Sequence, residues 1–297
     1  MAVFRHRLLD CGCPGRGLPR WKYALPLDAP SAVQLDPLHR LWLCVTDYYS
    51  SAASISYGSY DRDGILSLAG KAAVGIPAAY QENVLGLIID PSLRCWFTPS
   101  TASGNRLYYG TYNDATGEPT RTGYITLPSE KSQSMAIDPV RRLWWKCGHT
   151  IPGLYYGTYN EAGVPTYVGT YIAQNALGIG VDPTRGLLWV SGSAGDIVHG
   201  AYNPTTGEPA LTGAPTTNGV RTQFGVDPVR RWMWGAEDGN ATRMYAYGQD
   251  GVPTLVHEVE QPVPAAQLNF SVDPELALVA AAGYGGDNLV VGSYCQL

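Results

Sequence analysis

The residues that most often perform catalysis are scattered along this chain of 297 residues. Its five histidines fall in different parts of the sequence, at His6, His39, His149, His199 and His257. The chain contains no G-x-S-x-G elbow, H-E-x-x-H motif, P-loop or dinucleotide-binding fingerprint. A nucleophile needs a base within hydrogen-bond reach, and this distribution supplies no such pair. We therefore predict no catalytic residue and no cofactor.

The six cysteines could act as metal ligands or form disulfides. The spacing of Cys11 and Cys13 is too tight for a zinc site and no second pair lies near, so we predict no metal site. Cys11, Cys13 and Cys295 lie at the two chain ends, so a disulfide from Cys11 or Cys13 to Cys295 is predicted if the ends meet. The others fall inside apolar runs and are predicted to be buried free thiols: Cys44, Cys95 and Cys147.

A sequence repeat indicates the β-strands that would position any functional site. An Asp-Pro pair, preceded by an apolar residue and followed by an apolar strand, recurs six times at intervals of 44 to 54 residues. The pairs begin at Asp36, Asp90, Asp138, Asp182, Asp227 and Asp273. This period is typical of propeller blades of about four strands. The pattern predicts an all-β, six-bladed propeller, with seven blades less favoured.

The Asp-Pro pairs themselves are interpreted as turns. Pro pre-sets the backbone dihedral of a turn and Asp accepts bonds from the turn amides, so these carboxylates need no metal or catalytic role. In residues 84–127, VLGLIID and RCWFTP predict the first two strands, LYYGTYN the third and TRTGYITL the fourth. The hairpins between third and fourth strands are rich in Asn, Asp and Gly: Asn113 to Gly117, Asn160 to Gly163, Asn203 to Gly207 and Gln249 to Gly251.

Alternation identifies the first strand of each unit as the innermost one. The residues one and three positions before each Asp are apolar, whereas those two and four positions before it are mostly small or polar. Small residues suit strands crowded around a central channel. The second strands of five units carry tryptophans, interpreted as core between blades: Trp42, Trp96, Trp144, Trp189 and Trp234.

The chain ends predict how the ring closes. The sixth unit stops after its third strand, NLVVGSYCQL, and the missing outer strand is supplied by Trp21 to Leu27. Pairing both ends in one blade removes open sheet edges. We therefore predict an N-terminal arm over residues 1–20 and a single propeller domain over residues 21–297.

Composition excludes several classes of partner. Hydrophobic residues make up 45% of the chain, enough to bury a core, and the net charge of -5 disfavours nucleic acid. No apolar run reaches the length of a membrane span, so no membrane insertion is predicted. The N-terminus lacks the apolar stretch of a signal peptide. The expectation is a cytoplasmic protein, or one released without a cleaved signal, as virion proteins are.

The predicted strand order gives the disc two unlike faces. The Asp-Pro turns and Asn/Gly hairpins share one, which we name the turn face. Loops from second to third strands and crossings between blades share the other, the variable face, where length and chemistry differ between units. Each polar residue there is typical of a solvated loop, but together they mark a candidate ligand-binding set: Tyr48, Tyr49, Tyr80, Glu82, His149, Arg221, Glu237, Asp238 and Tyr284.

The unit LYYGTYNxxxGxPT, followed by hydrophobic-Asp-Pro and a Trp-containing strand, resembles the repeats of lactonase-like and YVTN-type propellers. It is more loosely similar to the lectin propellers of the tachylectin type, which have a Tyr-x-Gly-Thr strand. The lactonase-like resemblance implies a propeller, usually of seven blades, and a hydrolase or lyase site at the channel mouth. No catalytic motif of that family is found in this chain, and one scaffold hosts many functions.

Two functions follow from these observations. The favoured hypothesis is a non-enzymatic recognition or assembly module that binds a glycan or a protein surface through the variable face. Lectins, surface adhesins and structural or adsorption components of virus particles are of this kind, and assembly into a larger complex fits it. The alternative is a lactonase-like hydrolase or lyase that uses carboxylates and Arg221. Because the variable loops do not repeat, a multivalent lectin is less favoured than one binding site.

Overall fold

A computed structural model describes most of the chain. It covers residues 19–46, 52–77, 86–100, 105–128, 132–148, 153–172, 176–192, 195–213, 216–217, 220, 222–236, 241–260, 267–284 and 287–294. These residues form 25 β-strands in six antiparallel sheets, each the blade of a propeller. The predicted all-β, six-bladed architecture is confirmed. The lactonase-like resemblance implies seven blades, and the described residues form six.

The strands of the first three blades follow the predicted units. Blade 1 contains β2 (Ala32–Asp36), β3 (Leu41–Thr46), β4 (Ala52–Tyr60) and β5 (Leu66–Pro77). Blade 2 contains β6 (Ile88–Asp90), β7 (Cys95–Ser100), β8 (Arg106–Tyr112) and β9 (Pro119–Thr126). Blade 3 contains β10 (Ser132–Asp138), β11 (Leu143–Gly148), β12 (Leu154–Tyr159) and β13 (Pro165–Tyr171).

The other three blades include two departures from the simple pattern. Blade 4 contains β14 (Ala176–Asp182), β15 (Leu187–Gly192), β16 (Asp196–Tyr202), β17 (Pro209–Leu211) and β18 (Thr216–Thr217). Blade 5 contains β19 (Gly225–Asp227), β20 (Trp232–Ala236), β21 (Ala241–Tyr247) and β22 (Pro253–Glu260). Blade 6 contains β23 (Gln267–Asp273), β24 (Leu278–Tyr284), β25 (Asn288–Tyr294) and β1 (Pro19–Pro26). The outer strand of blade 4 is thus split in two, since β17 and β18 both pair with β16.

Blade 6 closes the ring as predicted. Its sheet order is β1-β25-β24-β23, so the fourth strand comes from the N-terminal end of the chain. The two strands pair antiparallel from Pro19 with Tyr294 to Pro26 with Asn288. The strand begins two residues before the predicted Trp21, because Pro19 and Arg20 continue the ladder.

The hydrophobic core lies between neighbouring blades. All five predicted tryptophans are fully buried and belong to clusters that combine residues of two adjacent blades. Their position relative to the preceding Asp decides the direction they face. Trp42 and Trp144, six residues after the Asp, pack against the preceding blade, whereas Trp189 and Trp234, seven residues after it, pack against the next. The inter-blade interpretation of the tryptophans is confirmed.

Candidate functional site

The Asp of each Asp-Pro pair organises its own turn. In five blades its Oδ1 accepts the backbone N–H groups two and three residues later, as from Val140 and Arg141 to Asp138 at 2.9 and 3.0 Å. Blade 1 keeps only the second of these bonds, from His39 N–H to Asp36 at 3.0 Å. The predicted turn chemistry is confirmed, and it occupies one oxygen of each carboxylate.

The second oxygen of each carboxylate is used by a neighbouring blade. A tyrosine at the end of each third strand donates its hydroxyl to Oδ2 of the Asp in the preceding blade, over 2.7 to 3.0 Å. Blade 1 donates in the same way to blade 6, so six bonds form a closed circle that we name the Tyr–Asp belt. Its pairs are Tyr60–Asp273, Tyr112–Asp36, Tyr159–Asp90, Tyr202–Asp138, Tyr247–Asp182 and Tyr294–Asp227.

Burial keeps the phenol groups of the belt protonated. All six carboxylates are inaccessible or nearly so. Burial raises the pKa of each belt tyrosine far above its usual value, and the adjacent Asp raises the pKa further. A tyrosinate there would have to lose its solvation and face a carboxylate, and both effects favour the neutral phenol. The tyrosines therefore remain hydrogen-bond donors.

Three consecutive blades add a guanidinium to the belt. Arg185 donates Nη1 to Asp182 Oδ2 at 2.8 Å and also to the carbonyl of Pro228 in the next blade at 2.7 Å. Arg141 and Arg230 make the equivalent two bonds. Blade 1 has His39 at this position, 2.7 Å from Asp36, and blades 2 and 6 have leucine. The turn-face carboxylates are consequently committed to holding the ring together.

The variable-face end of the strands buries a different kind of polar group. Apart from Lys146, which lies 4.9 Å from the Tyr155 ring centre, the polar residues buried there are uncharged. They comprise Ser31, Thr46, Ser54, Ser56, Thr98, Ser134, Ser191, Thr222, Gln223, Thr242 and Asn269. Some of them join blades, as Asn269 Nδ2 does by donating to the Ser31 carbonyl at 2.5 Å.

Four of these side chains have unused hydrogen-bonding atoms. Ser134 Oγ, Ser191 Oγ, Gln223 Oε1 and Thr242 Oγ1 are buried and have no hydrogen-bond partner among the described residues. All four lie in blades 3 to 5, at or near the strand ends that lead into the variable loops. A buried polar atom without a partner costs about 1–3 kcal/mol. These four atoms mark this end of blades 3 to 5, from which the variable loops extend, as the candidate site.

The central channel connects the two ends. It encloses about 170 Å³ and is lined by residues of all six first strands. Gln34, Gln223 and Ser271 are its polar lining residues, and no charged side chain lines it within the described part of the chain. Gly180 and Gly225 stand where a Cβ would come within 3.0 Å of a phenylalanine of the next blade. Glycine is thus required there by the close approach of the first strands.

Most of the predicted ligand-binding residues fall outside the described residues. This holds for Tyr48, Tyr49, Tyr80, Glu82, His149, Arg221, Glu237 and Asp238. Tyr284 ends β24, where its backbone pairs with Gln267. The predicted set thus remains a prediction, and the structure adds the buried neutral polar atoms, which alternation alone could not separate from core residues.

The structure tests the predictions for three of the six cysteines. Cys11, Cys13 and Cys295 lie outside the described residues, so their disulfide stays a prediction. The three internal cysteines are buried free thiols, as predicted. Burial raises the pKa of Cys95 and of Cys147 to about 12, which keeps both thiols protonated and unreactive. Among the described residues no group of three or more His, Cys, Asp or Glu is arranged to hold a metal ion.

Comparison with known proteins finds solved structures of similar fold, all with low sequence identity. No family model matches the chain, and no curated protein matches it. Among solved structures, a proposed 6-phosphogluconolactonase from Bacteroides uniformis is 15% identical with a TM-score of 0.58, covering 84% of this chain and 94% of its own. A second such protein, from Bacteroides fragilis, is 14% identical with a TM-score of 0.57, covering 78% and 84%.

A third similar structure is not described as a lactonase. A protein from Lactobacillus plantarum is 14% identical with a TM-score of 0.64, covering 92% of this chain and 86% of its own. The resemblance to lactonase-like propellers is confirmed as a likeness of fold. In the described part of the chain, no helix has the length and apolar character needed to span a membrane.

Proposed function

We propose that this protein is a non-enzymatic recognition module that binds a glycan or a protein surface through its variable face. The observation that carries the proposal is the contrast in buried polar groups. The carboxylates of the turn face are occupied by turn amides and belt tyrosines, whereas four neutral groups at the variable-face end of blades 3 to 5 lack partners in the described residues. Unused hydroxyl and amide atoms suit a ligand that presents hydroxyls or backbone amides.

The chemistry of this end favours hydrogen bonding over charge. The three hydroxyls and one amide oxygen can donate to or accept from a neutral ligand. The predicted tyrosines of the variable loops, Tyr48 and Tyr49, would add aromatic faces, which have polar tips and pack against apolar patches of sugars or proteins. Lectin, adhesin and virion adsorption roles all belong to this class.

A lactonase-like hydrolase or lyase is the second candidate, because two of the similar structures are proposed 6-phosphogluconolactonases. Such an activity would need a general acid or base at the channel mouth. Among the residues nominated from the sequence, Arg221, Glu237 and Asp238 have suitable chemistry. They belong to variable loops of blade 5, close in sequence to Gln223 and Thr242.

Paired loop variants separate the two candidates. Replacing Tyr48 and Tyr49, or Glu237 and Asp238, by Ala should abolish binding on a glycan array or to a protein partner. The melting temperature should barely change, because exposed loop substitutions usually cost within about 0.5 kcal/mol. The matched control is Asn160→Ala in a turn-face hairpin, where the side chain bonds only local amides in the described structure, so ligand binding should persist.

A lactone-hydrolysis assay on the same preparation completes the test. An enzyme would lose turnover by orders of magnitude when one mouth carboxylate is removed, while the ligand still binds. Turnover of a lactone that disappears in the Glu237→Gln variant would overturn the recognition proposal in favour of the hydrolase. Absence of turnover together with saturable glycan or protein binding would support it.

A further inference from the structure

Blade 4 has a buried histidine at a position where blades 1 to 3 have a tyrosine. In those three blades the tyrosine ring crosses to the fourth strand and lies against a glycine, where an added Cβ would come within 2.6 to 2.8 Å of the tyrosine hydroxyl. An aromatic ring in this position covers the bare backbone of the glycine. The pairs are Tyr57–Gly70, Tyr109–Gly123 and Tyr156–Gly169. In blade 4 the pair is His199 and Gly213, and a Cβ at Gly213 would overlap the imidazole.

The fourth strand of blade 4 is interrupted beside this histidine. β17 ends at Leu211, and β18 consists of Thr216–Thr217 alone. After β17, the N–H groups of Thr212 and Gly213 both donate to the His199 carbonyl, at 3.2 and 2.9 Å. The imidazole of the same residue packs against Gly213. Both the backbone and the side chain of His199 therefore hold the interrupted strand in place.

The imidazole is buried and its hydrogen bonding is incomplete. His199 is 8% exposed, and its Nδ1 has no partner among the described residues. Burial lowers the pKa of His199, and the charge of Asp250 raises that pKa by a smaller amount. A protonated imidazole donates from both ring nitrogens, so the cation would lose solvation and leave a buried N–H without an acceptor. The closed blade therefore favours the neutral ring.

The surroundings of the ring offer little compensation for a positive charge. β15, β17 and the two residues after β17 contain no ionisable side chain. The blade 5 hairpin contacts the ring through Gly251, where a Cβ would lie 3.4 Å from Cδ2 of the imidazole. Asp250 of that hairpin is exposed, and its Oδ1 accepts the Val252 N–H at 3.2 Å. On β16 itself, Asp196 is three positions from His199 and therefore projects from the opposite face of the strand.

We propose that His199 is an acid-sensitive switch, in which protonation of the imidazole releases residues 209–213 from blade 4 and opens the outer edge of β16. In the released form the ring meets water and takes up a proton with the ordinary histidine pKa of about 6.5. The contact with Gly213 therefore stabilises the closed form fully above about pH 6.5 and is lost as the pH falls below that value. The tyrosines of blades 1 to 3 do not titrate in acid. The switch does not depend on the ligand recognition proposed for the variable face.

Amide hydrogen exchange of the full chain tests the proposal at about pH 7.5 and about pH 5.5, on either side of the ordinary histidine pKa of about 6.5. Each rate is corrected for the intrinsic effect of pH on exchange. Protection of the Thr212 and Gly213 amides should fall by up to about tenfold at the lower pH, because release is coupled to the uptake of one proton. β13 of blade 3, where Gly169 lies against Tyr156, is the internal control and should keep its protection.

Two histidine variants assign the effect to one side chain. His199→Tyr introduces the residue that blades 1 to 3 have at this position, and protection at Gly213 should then be independent of pH over this range. His257→Gln, in β22 of blade 5, is the matched control and should keep the dependence on pH. The comparison of blade 4 with blade 3 in the unaltered protein tests the proposal even if His199→Tyr fails to fold.

Three results would overturn the proposal. The first is equal protection of Gly213 at the two pH values, which would mean that protonation of His199 does not open the blade. The second is a loss of protection in β13 as large as that at Gly213, which would show a general effect of acid on the propeller. The third is a loss at Gly213 that persists in the folded His199→Tyr variant.

Discussion

At the turn end of the propeller six buried carboxylates recur in equivalent positions, and every one of them binds its own turn and a tyrosine of the adjacent blade. At the variable-face end the buried polar groups differ from blade to blade, are nearly all uncharged, and include four atoms without a described partner. A buried carboxyl oxygen without a hydrogen-bond partner is costly, and at the turn face both oxygens of every one of these groups are hydrogen-bonded. Neutral groups can remain open at a smaller cost, which leaves the other end free for a ligand.

Among the variants that test this contrast, removal of the closing strand should lower the melting temperature most. Deletion of residues 288–297 removes β25, its pairing with β1, and the Tyr294–Asp227 bond of the belt. The truncated protein should be insoluble or melt far below the full chain, because two strand edges and a buried carboxylate lose their partners.

A shorter deletion is the control for closure. Removing residues 295–297 leaves every described pair of β25 in place, so melting should change little. A variant lacking residues 288–297 that melts like the full chain would contradict the role of β25 in closing the ring.

Alkaline pH should unfold the protein through its effect on the belt tyrosines of the turn face. Each belt tyrosine has a folded-state pKa raised above its unfolded value of about 10. Its contribution is complete below pH about 10 and is lost as pH rises toward the folded pKa. Once pH exceeds about 10, the free energy of unfolding should fall by about 1.4 kcal/mol per pH unit for each such tyrosine.

The measurement follows tyrosinate absorbance and circular dichroism in one titration. We expect the belt tyrosines to ionise only when the fold is lost, in a single steep transition. A Tyr247→Phe variant should have a shallower dependence of stability on pH. Ionisation of all tyrosines near pH 10 with the fold intact would contradict the belt.

One substitution at each end compares the two kinds of buried polar group directly. Asp182→Ala leaves the Tyr247 hydroxyl and Arg185 without their shared acceptor and should cost about 3–5 kcal/mol in urea unfolding, as for other broken buried charge pairs. Ser191→Ala removes a hydroxyl that has no described partner, and the free energy of unfolding should rise by up to about 1–3 kcal/mol, because the cost of burying that hydroxyl is removed. Equal costs at the two ends would refute the distinction.

The smallest effect is expected for two tryptophans that face the next blade. Trp189 Nε1 donates to the carbonyl of Gly251, in the hairpin of blade 5, at 2.8 Å. Trp234 occupies the same position in blade 5, but the blade it faces is closed by β1 and its Nε1 has no partner among the described residues. Substitution by Phe should therefore cost about 1 kcal/mol more at Trp189 than at Trp234, measured by urea unfolding. Equal costs would show that the Gly251 bond contributes nothing.

Much of the fold could be predicted from local sequence. The Asp-Pro period identified six blades, and the truncated last unit identified the strand that closes the ring, because turn residues and strand alternation act over a few positions. The belt was missed for the opposite reason. Tyr112 and Asp36 are 76 residues apart, and no local rule links a strand end to a turn of another unit. A signal was nevertheless available, since a tyrosine ends the third strand of every unit.

The candidate site was less predictable than the fold. The variable loops do not repeat, so periodicity cannot place Glu82, His149 or Arg221 relative to one another. Ser191 lies in β15 and Gln223 lies two residues before β19, and only burial distinguishes them from other polar residues at strand ends. Burial depends on the packing of neighbouring blades, which the sequence of one unit does not contain.

The Tyr–Asp belt has a direction, since every tyrosine reaches back to the blade before it. Each blade therefore presents a donor on one side and an acceptor on the other, like a subunit in a cyclic oligomer with head-to-tail contacts. A ring of this kind has no first member. The first and the last described strands, β1 and β25, both lie in blade 6. A circularly permuted chain cut at another inter-blade crossing would keep all six bonds, and its last strand would pair in a different blade.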